Sequence, residues 1–291
     1  MKEELERLKS YIQLTEAEAK KRDQLEKFYE SRDKIVLLDS DSILFFALHK
    51  LYTFTELRGL VTEHDRATCE DIILNNAYER FYESVTKILL AIEDKGFMVN
   101  NTVFCFTTCK NNFRKELEPT YKANRKKTPF VKWVYKLKNY AIDKLEEEGQ
   151  DVHYSDTLEA DDIISMFARK LPKPERLIIA SLDKDLKQIP GCHFDYKQLK
   201  GVDIDMESGE EYEYKYYKGF SFTSEDEGNY LLMKQLLVGD TADNIKGVKG
   251  IGKVKATKLL ENKNTFGRLR AVYEAYNDKN RLKTNIKLMQ L

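Results

Sequence analysis

Short apolar runs alternate with helical stretches along most of the chain, and no other feature constrains its fold as strongly. The runs suited to buried strands are residues 35–38, 103–106, 151–154, 177–181 and 192–196. Runs of this kind, separated by helices, are typical of strands that are covered on both faces. The sequence therefore predicts an α/β fold, with a mostly parallel central sheet and helices on both of its faces.

The pattern divides the chain into three regions. Residues 1–33 carry charges throughout and a thin apolar stripe, which predicts a helical N-terminal extension. Residues 34–224 hold the alternating strands and helices, and residues 225–291 are helical in pattern. Because no proline- or serine-rich break separates the last two regions, we expect a helical subdomain rather than a flexibly linked domain.

Composition excludes several classes of protein. No apolar run approaches the roughly 18 residues of a membrane span, and the charged N-terminus lacks the apolar core of a signal peptide. Four cysteines in 291 residues do not make a disulfide framework, so we expect reduced thiols and a cytoplasmic location. The formal net charge is +0, so the total charge says nothing about binding partners. The distribution of the charges along the chain is more informative.

Acidic residues stand where three predicted strands end, and a further pair closes a helix. Ligands of open parallel sheets bind outside the carboxyl ends of the strands, so we expect these side chains to converge on one cleft. A single Asp after a strand is commonly a turn or helix cap, but four acidic clusters exceed what capping requires. The residues are Asp39 and Asp41, Glu159, Asp161 and Asp162, Asp183 and Asp185, and Asp240 and Asp243.

Carboxylates this close together require compensation. Like charges about 4 Å apart repel by about 4 kcal/mol at an effective dielectric of about 20, so either a cation is bound or protons are retained. Carboxylate oxygens favour Mg²⁺ or Mn²⁺, above all where a phosphate also binds. Zinc is disfavoured, because Cys105 and Cys109 have no second ligand pair nearby in the sequence.

Two segments are strongly basic. Residues 110–138 hold ten Lys and Arg against two Glu, with aromatic residues interleaved, and residues 244–270 hold eight against one. A charge run is commonly a solvated face, but two such runs beside a carboxylate cluster favour a polyanionic ligand with bases that can stack.

The second basic segment is rich in glycine. Gly247, Gly250 and Gly252 allow tight turns and expose backbone N–H groups before the next helix, which is typical of phosphate binding. The spacing resembles that of a P-loop, but Val254 stands where a hydroxyl must bind Mg²⁺, and a helix rather than a strand precedes it. These two departures exclude a P-loop NTPase.

In their order along the chain, five segments resemble the 5′–3′ exonuclease and flap endonuclease family, of the short bacteriophage and polymerase-associated type. The resemblance covers about residues 34–290 and implies a PIN-like 5′-nuclease fold. It implies a helical arch at about 110–140 and a helix-hairpin-helix-like element in the C-terminal subdomain. The segments are residues 37–45, 113–129, 158–166, 178–191 and 236–260.

The resemblance also implies roles for individual residues. One metal ion would be held by Asp39, Glu159, Asp161 and Asp162, and a second by Asp183, Asp185, Asp240 and Asp243. Lys122 and Arg125 would act on the scissile phosphate, and Tyr121 would stack near the substrate. The Gly-rich element would grip duplex DNA, often through a bound K⁺. The residues expected to bind DNA are Arg114, Tyr121, Lys126, Lys127, Gly247, Gly250, Gly252, Lys253 and Lys255.

The resulting hypothesis is a structure-selective 5′ nuclease that hydrolyses DNA phosphodiesters with two metal ions in replication or primer removal. Its expected partners are DNA with a 5′ single-stranded flap or end, RNA/DNA hybrids and replication proteins, with no membrane, and a monomer is expected. Two alternatives stay open: a DNA-binding scaffold whose first metal site has decayed, and a PIN-like ribonuclease.

One position departs from the family pattern. The family has an Asp directly after its second strand, where this chain has Thr107. The first metal site therefore has one carboxylate fewer, and we expect weaker ion binding or a shifted metal dependence with activity retained. Asp41, two residues after Asp39, lies close enough to substitute for the missing carboxylate.

Overall fold

The computed structural model describes residues 16, 18–53, 63–126, 128–171, 174–204 and 211–291. Helical residues 18–30 precede the α/β core. In chain order the core contains β1 (Asp33–Asp39), α1 (Ser40–Thr53), α2 (Glu63–Glu93), β2 (Met98–Thr107), α3 (Phe113–Leu117), α4 (Pro129–Glu147), β3 (Asp151–Ser155), α5 (Ala160–Lys170), β4 (Leu177–Ala180), β5 (Gly191–Ile204) and β6 (Glu211–Thr223).

The six strands form one sheet in the order β3-β2-β1-β4-β5-β6. All neighbours from β3 to β5 pair in parallel, and β6 pairs antiparallel with β5. This confirms the predicted mostly parallel sheet and all five predicted strands. β6 was not predicted, because its alternation of tyrosines with charged residues lies in a stretch that is acidic overall.

Two hydrophobic layers cover the two faces of the sheet, as predicted. On one face, α1, α2 and α4 contribute buried side chains that include Leu44, Phe81 and Leu145. On the other face, α5 packs through Ile163 and Ile164. Parallel strands covered on both sides must be apolar throughout, which explains the continuous runs in β1 and β4.

Part of the predicted N-terminal extension belongs to the core. Phe28 is 1% exposed, and its ring centroid lies 5.1 Å from that of Phe97. The ammonium of Lys34 lies beneath it and donates to the carbonyl oxygens of Phe28, Ser31 and Glu175. Residues 1–15 and 17 of the predicted extension lie outside the described residues.

The end of the predicted arch, from residue 129 onward, is the first part of α4, and α4 packs on the core. In α4, Leu137, Ala141 and Leu145 are fully buried against α1 and α2. The stretch that crosses the acidic edge of the sheet is instead the set of turns at residues 118–126. This stretch places Lys122 beside Glu159 and Arg125 beside Asp243 at that edge.

The C-terminal region is helical, as predicted, and has its own small core that includes Leu237, Ala256, Val272 and Leu288. A two-stranded ladder interrupts the helices at Gly239 and Gly247, whose backbones touch: a Cβ on Gly247 would lie 2.4 Å from Gly239 N. The elements are α6 (Glu225–Val238), β7 (Gly239–Asp240), β8 (Ile245–Lys246), α7 (Lys253–Leu260), α8 (Thr265–Ala275) and α9 (Lys279–Met289).

The packing of α6 on the core gives a stability prediction for Gly228. Gly→Ala inside a helix ordinarily stabilises by about 1 kcal/mol. At Gly228, however, the new Cβ would lie 2.3 Å from the carbonyl oxygen of Gln188, which is backbone. We expect Gly228→Ala to lower the free energy of unfolding by about 1–3 kcal/mol, measured by urea denaturation.

Gly267→Ala in α8 is the matched control, because its Cβ would meet only side-chain atoms of Asn264 and Lys263, at 3.3 Å. These can move, so we expect the control to be neutral or slightly stabilising. Equal effects of the two substitutions would contradict the close contact between α6 and the backbone of Gln188.

Candidate active site

Asp39 is fixed at the centre of the sheet edge. β1 lies between β2 and β4, so the residues after both neighbours come close to the carboxyl end of β1. Asp39 Oδ2 accepts hydrogen bonds from Ser181 Oγ at 2.7 Å and Ser42 Oγ at 3.1 Å. Burial, followed by the charge of Asp41, raises the pKa of Asp39 to about 6.

The start of α5 holds the second acidic group. Glu159 is the N-cap, and its backbone N–H donates to Asp162 Oδ2 at 3.0 Å in a capping box. At the same helix end, Thr107 Oγ1 accepts from the N–H of Ala160 at 2.9 Å. Glu159 and Asp162 therefore cap α5 in addition to lying at the cleft. Helix capping is the ordinary structural role of acidic residues at this position.

Arg114 is buried among these carboxylates, with 1% of its surface exposed. Its Nη atoms donate to both oxygens of Asp162 at 2.5 and 2.7 Å, and its Nε donates to the carbonyl oxygen of Leu288 at 2.8 Å. The contact of Arg114 with DNA stays a prediction, and in this structure the guanidinium has no accessible face. It neutralises Asp162.

Tyr121 is also buried, with 2% of its surface exposed. Its hydroxyl lies 2.8 Å from Glu159 Oε2 and 3.0 Å from Asp243 Oδ2. Burial and these two carboxylates raise the pKa of the phenol. The stacking of Tyr121 near the substrate stays a prediction, and in this structure the ring is packed inside the C-terminal core.

The structure brings Lys122 and Arg125 to the carboxylates. Lys122 Nζ lies 2.6 and 2.8 Å from the oxygens of Glu159 and 3.7 Å from Asp243 Oδ2. Arg125 Nη2 donates to Asp243 Oδ1 at 2.8 Å and is largely exposed. Burial opposes the charge of Glu159, but the attraction of Lys122 outweighs it and the pKa of Glu159 is lowered.

The turn that carries Lys122 is tied to the loop that carries Asp243. The N–H of Lys122 donates to the carbonyl of Asp243 at 3.0 Å, and the side chain of Asn124 donates to the carbonyl of Thr241 at 2.8 Å. In the reverse direction, Asn244 Nδ2 donates to the carbonyl of Thr120 at 2.8 Å. Lys122 has a φ of 55°, so this reciprocal clasp holds it in a backbone conformation that costs energy outside glycine.

Four carboxylates from different elements line one small cavity of about 30 Å³: Asp161, Asp185, Asp240 and Asp243. Burial, then Asp162 and Glu159, raises the pKa of Asp161 to about 7. Burial, then Asp183, raises that of Asp185 to about 7. For Asp161 and Asp185, burial and the neighbouring carboxylates therefore outweigh the nearby cations.

The arrangement differs from the predicted ligand sets. Ser181 links Asp39 to Asp183, because its hydroxyl donates to Asp39 and accepts from the N–H of Asp183 at 2.9 Å. Glu159 and Asp162, predicted to share an ion with Asp39, are instead paired with Lys122 and Arg114.

The oxygen ligands at this edge are of the type that a hard divalent ion prefers. The side chains that carry them are too far apart to bind one ion together in this structure. Carboxylate oxygens are the ligands that Mg²⁺ and Mn²⁺ prefer, and the raised pKa values of Asp39, Asp161 and Asp185 call for a cation. Among the described residues, no three acidic, histidine or cysteine side chains are close enough to share one ion as they stand. Binding an ion here therefore requires side chains to rearrange.

The predicted duplex-binding residues lie at the start of α7. Gly252 is its N-cap, Gly250 has a φ of 80°, and Lys253 and Lys255 are exposed. Gly247 instead packs against the backbone of Gly239, so its role in this structure is a close backbone approach. Lys126 is exposed beside Arg125, and Lys127 lies outside the described residues.

Sequence reasoning missed several polar neighbours of the site. Ser181 follows β4 directly, and a hydroxyl at the end of a buried strand could have indicated it. Asn112 Nδ2 donates to Glu159 Oε1 at 3.0 Å, and Gln235 Nε2 donates to Asp185 Oδ1 at 2.6 Å. Neither residue stands in a recognisable motif, so only the tertiary structure places them.

Comparison with known proteins gives a consistent result. A family model described as the 5′-3′ exonuclease N-terminal resolvase-like domain matches residues 34–216, more than half of the chain. DNA polymerase I of Borreliella burgdorferi is 29% identical over 257 residues, which are 85% of this chain and 25% of that protein. The flap endonuclease Xni of Colwellia psychrerythraea is 33% identical over 170 residues, 56% of this chain and 51% of that protein.

Solved structures share the fold. The T5 D15 protein co-crystallised with metal ions superposes with a TM-score of 0.59 at 14% identity, and the match covers 89% of each chain. A bacteriophage T5 D15 flap endonuclease complex with DNA and metal ions gives a TM-score of 0.54 at 15% identity, over 89% of each chain. The chain spans about a quarter of the length of the DNA polymerase I relatives it matches.

The burial of Arg114 gives a prediction that separates a structural from a DNA-contacting role. Removing one partner of a buried ion pair leaves an uncompensated charge, here Asp162, which costs about 3–5 kcal/mol. We expect Arg114→Met to lower the free energy of unfolding by about that amount, measured by denaturant titration without DNA.

Arg270→Met is the matched control, because Arg270 pairs with Glu274 at 2.7 Å on an exposed helix face. An exposed pair contributes at most about 1 kcal/mol, so the control should be nearly neutral. An Arg114 variant as stable as the control would show that the buried pair with Asp162 is not formed.

Proposed function

This chain belongs to the 5′-3′ exonuclease family, and we propose that it is a metal-dependent, structure-selective 5′ nuclease that hydrolyses DNA phosphodiesters in replication or primer removal. The observation that carries the proposal is the contact of Lys122 and Arg125 with Glu159 and Asp243 at the carboxyl edge of a parallel sheet. An acidic edge with two cationic side chains beside it can bind metal ions and a phosphate together.

Two divalent ions, Mg²⁺ or Mn²⁺, are proposed at the acidic edge. The proposed ligands are carboxylates of the predicted sets, of which Asp39, Asp161 and Asp185 most require a cation. When bound, such ions lower the pKa of water and stabilise charge on both oxygens of a phosphodiester that is displaced in line. In this structure Asp162 pairs with Arg114 and accepts a hydrogen bond from the backbone N–H of Glu159 at the start of α5.

Lys122 and Arg125 are proposed to act on the scissile phosphate. Both are paired with carboxylates in the free protein, and both lie on a turn whose backbone is fixed by the clasp with residues 241–244. A phosphate that approaches the edge offers them a second anionic partner. There they stabilise the negative charge that develops on the phosphoryl oxygens, with a geometry set before the substrate arrives.

The adjoining duplex is proposed to bind at the N-terminus of α7. Its exposed N–H groups and the side chains of Lys253 and Lys255 face solvent together, and a helix N-terminus favours phosphate. Lys126 and Lys127 are proposed to contact the 5′ strand, and a K⁺ ion is proposed at the Gly-rich turn. Contacts to phosphate position DNA without reading its sequence, which suits selection by structure.

The remaining parts of the proposal concern context. DNA with a 5′ flap or end is the proposed substrate, with RNA/DNA hybrids as a second one. A monomer in the cytoplasm that works with replication proteins is proposed, in keeping with the DNA polymerase I relatives. No helix among the described residues is long and apolar enough to cross a membrane.

The proposed function is tested by cleavage of a 5′-flap DNA with Mg²⁺, with EDTA as the control. We expect Lys122→Ala to bind the flap within a few fold of wild type and to lose about 10²–10³ in the single-turnover cleavage rate, as expected when a group that stabilises the transition state is removed.

Other outcomes would redirect the proposal. Binding without metal-dependent cleavage by the wild-type protein would favour the DNA-binding scaffold, and preference for an RNA flap would favour the PIN-like ribonuclease. Cleavage by Lys122→Ala at the wild-type rate would contradict the role given to that side chain.

A second measurement addresses duplex binding. Each phosphate contact contributes about 0.9 to the slope of the logarithm of affinity against the logarithm of salt concentration. We expect Lys253→Ala with Lys255→Ala to weaken duplex binding and reduce the slope by about 2. Lys87→Ala, which removes an exposed charge paired with Glu83 on α2, should leave the slope unchanged. Equal slopes for wild type and the double variant would exclude Lys253 and Lys255 of α7 as contacts to duplex phosphates.

A further inference from the structure

A buried ammonium lies beside the acidic edge, at the corner where the family pattern is broken. Lys138, on α4, is 6% exposed. Its Nζ donates to the carbonyl oxygen of Thr107 at 2.6 Å and lies 2.7 Å from Asp41 Oδ1. The approach to Asp41 is not aligned as a hydrogen bond, so the attraction is Coulombic. The strand carbonyl at the end of β2 keeps this charge in place.

The hydroxyl, carbonyl and N–H groups of Thr107 all make hydrogen bonds within the protein. Its Oγ1 accepts from Ala160 N, its carbonyl accepts from Lys138, and its N–H donates to Asp41 Oδ2 at 3.2 Å. Each polar group of Thr107 therefore makes a hydrogen bond within the protein, and its side chain carries no charge to attract an ion. The carboxylate that this corner does offer is Asp41, in the first turn of α1 and two residues from Asp39.

The side chain of Asp41 contacts Lys138 on one side and the open cleft on the other. A groove of about 460 Å³ is lined by Asp41 and Asp183 together with apolar side chains of α1. The side chain of Asp41 is 28% exposed, whereas that of Lys138 is 7% exposed. Asp41 therefore lies between a fixed ammonium behind it and the open acidic edge in front of it.

We propose that Lys138 is a built-in cation of this edge, which holds Asp41 in an ion pair, keeps it from ligating a divalent ion and lowers the affinity of the ion beside Asp39. This inference rests on the proposed function and deepens it. It is an alternative to the sequence-based idea that Asp41 supplies the missing carboxylate. The physical reason is that a fixed positive charge both occupies the nearest carboxylate and repels a second cation.

The test is isothermal titration of the full chain with Mn²⁺ in the absence of DNA, so cleavage does not enter. Lys138→Gln removes the charge and frees Asp41, and we expect about tenfold tighter Mn²⁺ binding. Lys138→Arg keeps the charge and should stay within about twofold of wild type. Lys136→Gln is the matched control, because it removes one charge from the same helix, where it pairs with Glu70 at 2.5 Å on the surface.

The double variant Asp41→Asn with Lys138→Gln decides between a paired and a ligating Asp41. It replaces both partners by neutral groups of similar shape, a change that folds tolerate better than removal of one partner. We expect Mn²⁺ affinity within about twofold of wild type, because Asp41 contributes nothing to the ion in the wild-type protein. Clearly weaker binding would overturn the proposal, since it would make Asp41 a ligand.

The remaining outcomes are also decisive. If the wild type binds Mn²⁺ and Lys138→Gln binds no tighter than Lys136→Gln, the built-in cation is refuted while the proposed function stands. If the wild type binds no Mn²⁺, the inference about Lys138 and the proposed metal-dependent function are both refuted. If Lys138→Gln does not fold, as judged by circular dichroism, the double variant alone supports or overturns the inference.

Discussion

Repulsion among carboxylates at the carboxyl edge of the sheet is the constraint on which the rest of the site depends. Carboxylates from α5, the loop after β4 and the β7–β8 loop share one small cavity. Basic side chains of the protein form ion pairs with several of the carboxylates at this edge. The pairs are Arg114 with Asp162, Lys122 with Glu159, Arg125 with Asp243 and Lys138 with Asp41. Each of these pairs joins two different elements, so the charge balance also fixes the tertiary arrangement.

The C-terminal helix takes part in the same balance. Arg281 on α9 pairs with Glu118 at 2.5 Å, at the start of the turns that carry Lys122. The carbonyl oxygen of Leu288 accepts from Arg114, and Asn285 donates to the carbonyl oxygen of Lys246 at 2.9 Å. The helical subdomain is therefore continuous with the acidic edge, and the proposed duplex site at α7 belongs to the same unit as the carboxylates.

Sequence patterns located the acidic residues well, because strand ends in a parallel sheet have one possible edge. They were less successful with the basic residues. Arg114, Tyr121, Lys122 and Arg125 lie within twelve residues, and all were assigned to the substrate. In the structure the first two are buried and the last two reach the solvent side of the carboxylates. Charge and spacing do not encode burial, so the pattern could not separate these two pairs.

The sequence by itself determined the five parallel strands of the sheet, its helical layers and the edge where the acidic residues lie. Apolar strand runs and the acidic residues after them can be read directly from chain order. The tertiary structure alone decided which carboxylate meets which cation. Lys138 is 97 residues from Asp41, and Arg114 is 174 from Leu288. Such pairs form only when distant elements pack, because a side chain is neutralised by its nearest opposite charge in space, whatever the separation along the chain.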